Sequence, residues 1–194
     1  MRKLIVGAYF VGIVLLAWTA AGIREPHQAS PAVINAPADA LVIPVVGVKA
    51  SDLRDSFTAH RAGHDHRAID ILVPRGTPVV AAVDGNVRKL FTSVDGGITI
   101  YETDPANRMI YYYAHLDRYA DGLREGLPLR RGDVIGYVGT TGNAPRNTPH
   151  LHFAIAVLPP TKEWWKGDPI NPYPILMEHG VTVETGRGSV IGGR

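Results

Sequence analysis

The stretch "NTPHLHFAIAV", Asn147 to Val157, places two histidines one residue apart at the head of an alternating apolar run. Because side chains alternate across a β-strand, His150 and His152 share one face and Leu151 takes the other. Two imidazoles on one face suit a metal site or a proton-transfer site, and either chemistry needs partners from elsewhere in the chain. "GHDHRAIDILVPRGTPV" offers His66 and Asp70, four residues apart. Asp70 lies inside an apolar strand-forming run, where a carboxylate is costly unless a charge or hydrogen bond compensates it. "MIYYYAHL" adds His115 at the end of another strongly β-forming segment. The chain has no cysteine, so disulfides and thiolate metal sites are excluded and any metal must be held by His, Asp or Glu.

Strands must position these groups. From Val45 onward short β-forming runs alternate with Gly, Pro, Asn and Asp: "AIDILV", "TPVVAAV", "GNVRKLF", "GITIYE", "MIYYYAHL", "DVIGYVG" and "HLHFAIAV". No long segment of helical period interrupts them. The expected fold class is mainly β, a two-sheet antiparallel sandwich with little helix, at most a turn around "SDLRDSF" or "LDRYADGL". In "RRGDVIGYVG" the glycines serve turns and Asp133 caps one of them.

The 194 residues carry a formal charge of only +2, and no basic run is interleaved with aromatics, so nucleic acid is set aside as a partner. The chain starts "MRKLIVGAYFVGIVLLAWTAAGIREP": two basic residues, then an uncharged apolar stretch over residues 4–23. This pattern predicts an export segment, either a signal peptide or an uncleaved membrane anchor, with the rest of the chain outside the cytoplasm. Residues 24–44 are Pro- and Ala-rich and read as a linker, residues 45–178 as the folded domain, and residues 179–194 as a Gly-rich tail.

"HRAID", "YYAHL" and "PHLHF", in this order and separated by glycine-rich turns, resemble the M23 family of zinc metallopeptidases, the lysostaphin and LytM type. The resemblance extends through "PRGTPVVAAVDGNV", "LRRGDVIGYVGTTGNA" and "GDPINPYPIL", from about Val45 to Leu176. It implies a two-sheet antiparallel β fold with a metal-containing groove. It also implies one Zn²⁺ per domain on His66, Asp70 and His152, with His115 and His150 as catalytic histidines beside it. Three protein ligands leave a position open for water, whose pKa on zinc falls towards about 7. The implied substrate is the peptide part of bacterial peptidoglycan, and the implied place is the periplasm or cell envelope.

Two departures from the family pattern stand out. "HRAGHDH" puts His60 and His64 ahead of the first ligand, where His64 is expected to be solvated, and Ala154 stands where many relatives carry an acidic or amide side chain. The strand–turn units also resemble biotinyl and lipoyl carriers, but the presented lysine is missing. A His-x-His barrel hydrolase needs a longer chain with helices between strands. A metal cupin needs an acidic residue soon after the histidine pair, and "FAIAVLPP" has none. The remaining alternative to an enzyme is a non-catalytic M23-like module that binds and activates another wall hydrolase. Such regulators typically lack ligands or catalytic histidines, whereas all five positions are filled here.

Overall fold

The computed structural model describes residues 40–61 and 63–184. Among them the strands run β1 (Leu41–Val42), β2 (His60–Arg61), β3 (His64–Asp65), β4 (Ile69–Leu72), β5 (Pro78–Val80), β6 (Gly85–Ser93) and β7 (Gly97–Thr103). They continue with β8 (Met109–Tyr119), β9 (Pro128–Leu129), β10 (Val134–Val138), β11 (His150–Val157), β12 (Asp168–Ile170) and β13 (Gly180–Val181). A 3-10 turn (Ala50–Asp52) falls in the first expected helical segment, whereas Leu116 to Tyr119 of the second belong to β8. The export segment 1–23, the linker to residue 39, the tail from residue 185 and the side chain of His64 lie outside the described residues.

The architecture is mainly antiparallel β. Hydrogen bonding orders the strands β12-β11-β8-β7-β6-β9, with β4 also on β11 and the β10–β5 pair branching from β8, so the expected two sheets form one forked network. The fork lies within β8, whose first part pairs with β11 and whose last part pairs with β10. Strict alternation along β11 buries Leu151, Phe153 and Ile155 and turns His150, His152 and Ala154 to the opposite face. On β4, Ile69 and Ile71 enter the core and Asp70 points away from it. The carboxylate that looked out of place in an apolar run is thus simply on the other side of the sheet.

One α-helix, α1 (Pro172–His179), was not expected from the sequence. Its signal was present in "NPYP": Asn171 is the N-cap, its side chain accepting from Tyr173 N at 2.9 Å, and Pro172 occupies the first turn, where a missing N–H costs nothing. No described helix is long and apolar enough to cross a membrane. After α1 the chain forms β13, which pairs in parallel with β1. Leu41, Val42 and Ile43 are buried, so the packed unit includes residues that the sequence reading assigned to linker and tail.

Glu102 on β7 is fully buried on the core side, where Tyr113 Oη donates to Oε2 and Ala82 N donates to the same oxygen at 3.2 Å. Its Oε1 has no partner. Burial pushes its pKa up to about 8, although the Tyr113 bond opposes the shift. The native chain therefore holds the proton over a pH range in which the unfolded chain has released it. The stability from this group is full below about pH 4.5 and is lost as pH rises through about 8. Glu102→Gln is expected to remove that dependence, matching the native protein near pH 4.5 and exceeding it by on the order of a few kcal/mol at pH 8. Denaturant midpoints across this range check it, and parallel curves for the two proteins would show that Glu102 is ionised in the fold.

Candidate metal centre and catalytic groove

The register of β4 against β11 puts Asp70 directly opposite His152, and His66 enters from the loop before β4. His66 Nε2 lies 3.0 Å from His152 Nδ1 and 3.0 Å from Asp70 Oδ1, and His152 Nδ1 lies 3.4 Å from the same oxygen. The three form the one group of potential metal ligands found among the described residues. His66 Nδ1 sits 3.0 Å from the carbonyl of Ser56, which can only accept, so the proton is on Nδ1 and the Nε2 lone pair faces inward. Asp70 Oδ1 is buried without a hydrogen-bond partner. Such a convergence of acceptors is repulsive without a cation. Tetrahedral bonds of about 2.0–2.1 Å would set donor atoms roughly 3.3 Å apart, and the observed 3.0–3.4 Å spacing fits that edge.

Charge and polar contacts around the three donors reinforce the fit. Burial opposes ionisation of Asp70, but the adjoining His152 and His66 rings, with His150 beside them, outweigh it and hold the carboxyl well below the usual range. Arg61 Nη2 binds the outer oxygen, Oδ2, at 2.5 Å and so leaves Oδ1 for the centre. Ser56 serves twice, its carbonyl orienting His66 and its hydroxyl accepting from Asp70 N at 3.2 Å. Burial depresses the pKa of His152, partly offset by Asp70. The neutral imidazole that results is the form that donates a lone pair.

His115 and His150 complete the groove. His150 Nδ1 donates to the carbonyl of Thr148 at 2.9 Å, which leaves Nε2 as an acceptor 3.7 Å from Asp70 Oδ1. His115 Nδ1 donates to the carbonyl of Thr141 at 2.9 Å, and the two rings meet edge-on with centroids 4.9 Å apart. Burial lowers the His115 pKa to about 4, with the Thr141 bond acting the other way, so the ring is neutral at physiological pH.

His115 reaches the groove only through a β-bulge. Ile98 pairs with Leu116 but Ile100 pairs with Tyr113, so β8 carries one extra residue between them. Without it, alternation would send His115 into the core beside Tyr113. With it, Ala114 and His115 both line the groove and Leu116 returns to the core. The bulged backbone puts His115 at φ +61°. Its amide donates to the Gly96 carbonyl at 2.8 Å, and the Thr141 hydroxyl, donating to Leu116 O at 2.7 Å and accepting from Ile98 N at 3.0 Å, locks the same spot. Here Gly142 (φ +73°) passes so close to the β6–β7 turn that a Cβ would lie 2.2 Å from the Asp95 carbonyl oxygen.

All five histidines and carboxylates expected from the sequence thus line one open groove of about 470 Å³. The sequence reading missed Arg61, Ser56, Thr141 and Tyr112. Of these only Arg61 carried a signal, a guanidinium nine residues ahead of Asp70. At Ala154, the departure from the family pattern on β11, the strand faces Tyr112 of β8 across a direct pair.

The peptidase family M23 model matches residues 64–172, more than half the chain. The chain is 34% identical over 116 residues to the L-Ala–D-Glu endopeptidase of Bacillus subtilis strain 168, covering 57% of this chain and 34% of that one. It is 36% identical over 92 residues to the peptidoglycan DD-endopeptidase ShyC of Vibrio cholerae, covering 47% and 20% respectively. The crystal structure of LytM from Ruminococcus gnavus superposes with a TM-score of 0.60 at 28% identity, covering 75% of this chain and 64% of that one. The chain spans between a fifth and a third of the length of the curated relatives it matches most strongly. A forked antiparallel sheet, a groove built on β4, β8 and β11, and a family match that runs through all three strands agree: the chain belongs to peptidase family M23.

Proposed function

We propose that the chain is an exported zinc endopeptidase that hydrolyses amide bonds in the peptide stems or cross-bridges of bacterial peptidoglycan. The observation that carries this reading is the convergence of three lone-pair donors and two further imidazoles in one open groove. His66, Asp70 and His152 would hold Zn²⁺, the metal suited to a two-imidazole, one-carboxylate set. When bound it would acidify water and polarise the scissile carbonyl. His115 and His150 each anchor Nδ1–H on a backbone carbonyl and present Nε2 to the groove. An imidazole so held can take a proton at Nε2, and once protonated it can donate to the oxyanion that develops on the carbonyl. The endopeptidase names of the relatives support the substrate class.

The non-catalytic alternative has no feature in its favour, since no ligand or imidazole position is vacated. The reading includes one zinc per domain and an N-terminal signal or anchor over residues 1–23, a linker, a peptidase domain and a Gly-rich tail, with the domain in the periplasm or envelope. A reporter active only outside the cytoplasm, fused behind residue 44, is expected to be active, and silence of a stable fusion would argue against export. Digestion of purified peptidoglycan by the zinc-loaded chain, followed by mass analysis, tests the activity itself. New peptide fragments are expected. Intact material after verified zinc loading would overturn the proposal.

A further inference from the structure

Beyond the histidines, the groove face of the sheet carries a row of aromatic rings that the hydrolytic chemistry does not use. Tyr112 of β8 meets the His152 ring edge-on at 5.9 Å. Its cross-strand partner Tyr101 of β7 lies 4.6 Å away. Trp164, from the loop between β11 and β12, packs 4.5 Å from Tyr101, then meets Phe91 of β6 at 5.9 Å and Trp165 at 5.3 Å. Core packing explains only part of this row. Trp164 covers the small apolar cluster of Ile110, Ala156 and Leu158, but Trp165 is 59% exposed and Phe91 43% exposed at its outer end. Exposed large aromatics continuous with a groove mark a binding surface rather than a core.

We propose that this row is a glycan subsite, taking the N-acetylated sugar rings of the strand whose peptide lies in the groove. The choice of sugar rests on the peptidoglycan reading above. Pyranose rings present a face of C–H bonds that stacks on indole and phenyl planes, and the flanking hydroxyls stay in water. The spacing agrees. From β11 to β6 the row crosses three inter-strand steps, about 14 Å, the reach of roughly four extended residues between a cleaved bond and a sugar. The surrounding charge does not suit an anionic lipid surface. Lys166 is paired with Glu163 at 2.9 Å, Lys89 with Glu125 at 2.8 Å, and Lys162 donates to the Asn107 carbonyl at 2.7 Å.

The test is calorimetric titration of the full chain with a soluble N-acetylglucosamine hexamer and, separately, with a sugar-free stem pentapeptide. Saturable hexamer binding is expected, weakened about tenfold or more by Trp165→Ala and also by Phe91→Ala, with pentapeptide affinity unchanged. Both side chains are exposed, so their loss leaves the fold intact. No hexamer binding by the native chain, or unaltered binding by both variants, overturns the subsite. Equal weakening for the pentapeptide assigns the row to peptide and also overturns it. So does Trp165-dependent binding to phosphatidylglycerol vesicles in place of the hexamer. The outcome separates from the peptidase reading. Trp165-dependent hexamer binding by a chain that releases no peptidoglycan fragments keeps the subsite and sinks the peptidase, whereas fragment release without hexamer binding does the reverse.

Discussion

His152→Ala is expected to deprive the chain of both its zinc and its hydrolytic activity. The side chain supplies one of three donors that lie 3.0–3.4 Å apart, the one convergent set of potential ligands among the described residues. Two ligands bind zinc too weakly to hold it at ordinary concentrations, and a metal that binds only the folded chain stabilises it by mass action. Three measurements should therefore fall together: zinc content after dialysis, from one per chain towards zero; the zinc-dependent rise in Tm; and peptidoglycan hydrolysis, to background. A variant that kept one zinc per chain at native affinity would remove His152 from the ligand set.

His150→Ala, two residues away on the same strand face, is expected to fail differently. Its zinc content and Tm should match the native chain while hydrolysis drops roughly 10²–10⁴-fold, the loss typical of removing a general base or an oxyanion donor. His115 should respond in the same way when replaced by Asn, which removes the imidazole and tolerates its backbone conformation. Zinc loss equal to that of His152→Ala would make His150 a ligand. Full activity without it would leave a single histidine working beside the metal.

Alternation along a strand is local physics, and it was enough to put His150 and His152 on one face and Asp70 opposite the core. That Asp70 and His152 meet is a matter of β4–β11 register, set by pairing across about eighty residues, and only the family resemblance anticipated it. The bulge was illegible for the same reason. "YYYAHL" alternates perfectly well as a plain strand, and the extra residue shows only against β7. Ser56 and Thr141, which anchor His66 and His115, and the paired tryptophans all come from loops, whose paths no periodicity encodes. Helix α1 was a missed local signal, Asn171 and Pro172 at its start. The pairing of β1 with β13 joins the two ends of the packed unit, a contact between segments too short to show a pattern of their own.

The left-handed backbone at residue 115 means that two independent filters act on one position. Folding admits residues at ease with positive φ, chiefly Gly, Asn, Asp and His, and penalises β-branched ones. Chemistry admits only a side chain that can carry a proton at the distance Thr141 and the groove dictate. Of the four, only histidine can donate one ring N–H to the Thr141 carbonyl while presenting a second, proton-accepting nitrogen to the groove. In a saturation library the two filters would separate into distinct phenotypes: Val and Ile would deplete the soluble protein, whereas Asn and Gly would accumulate as well-folded, zinc-loaded chains that do not cut.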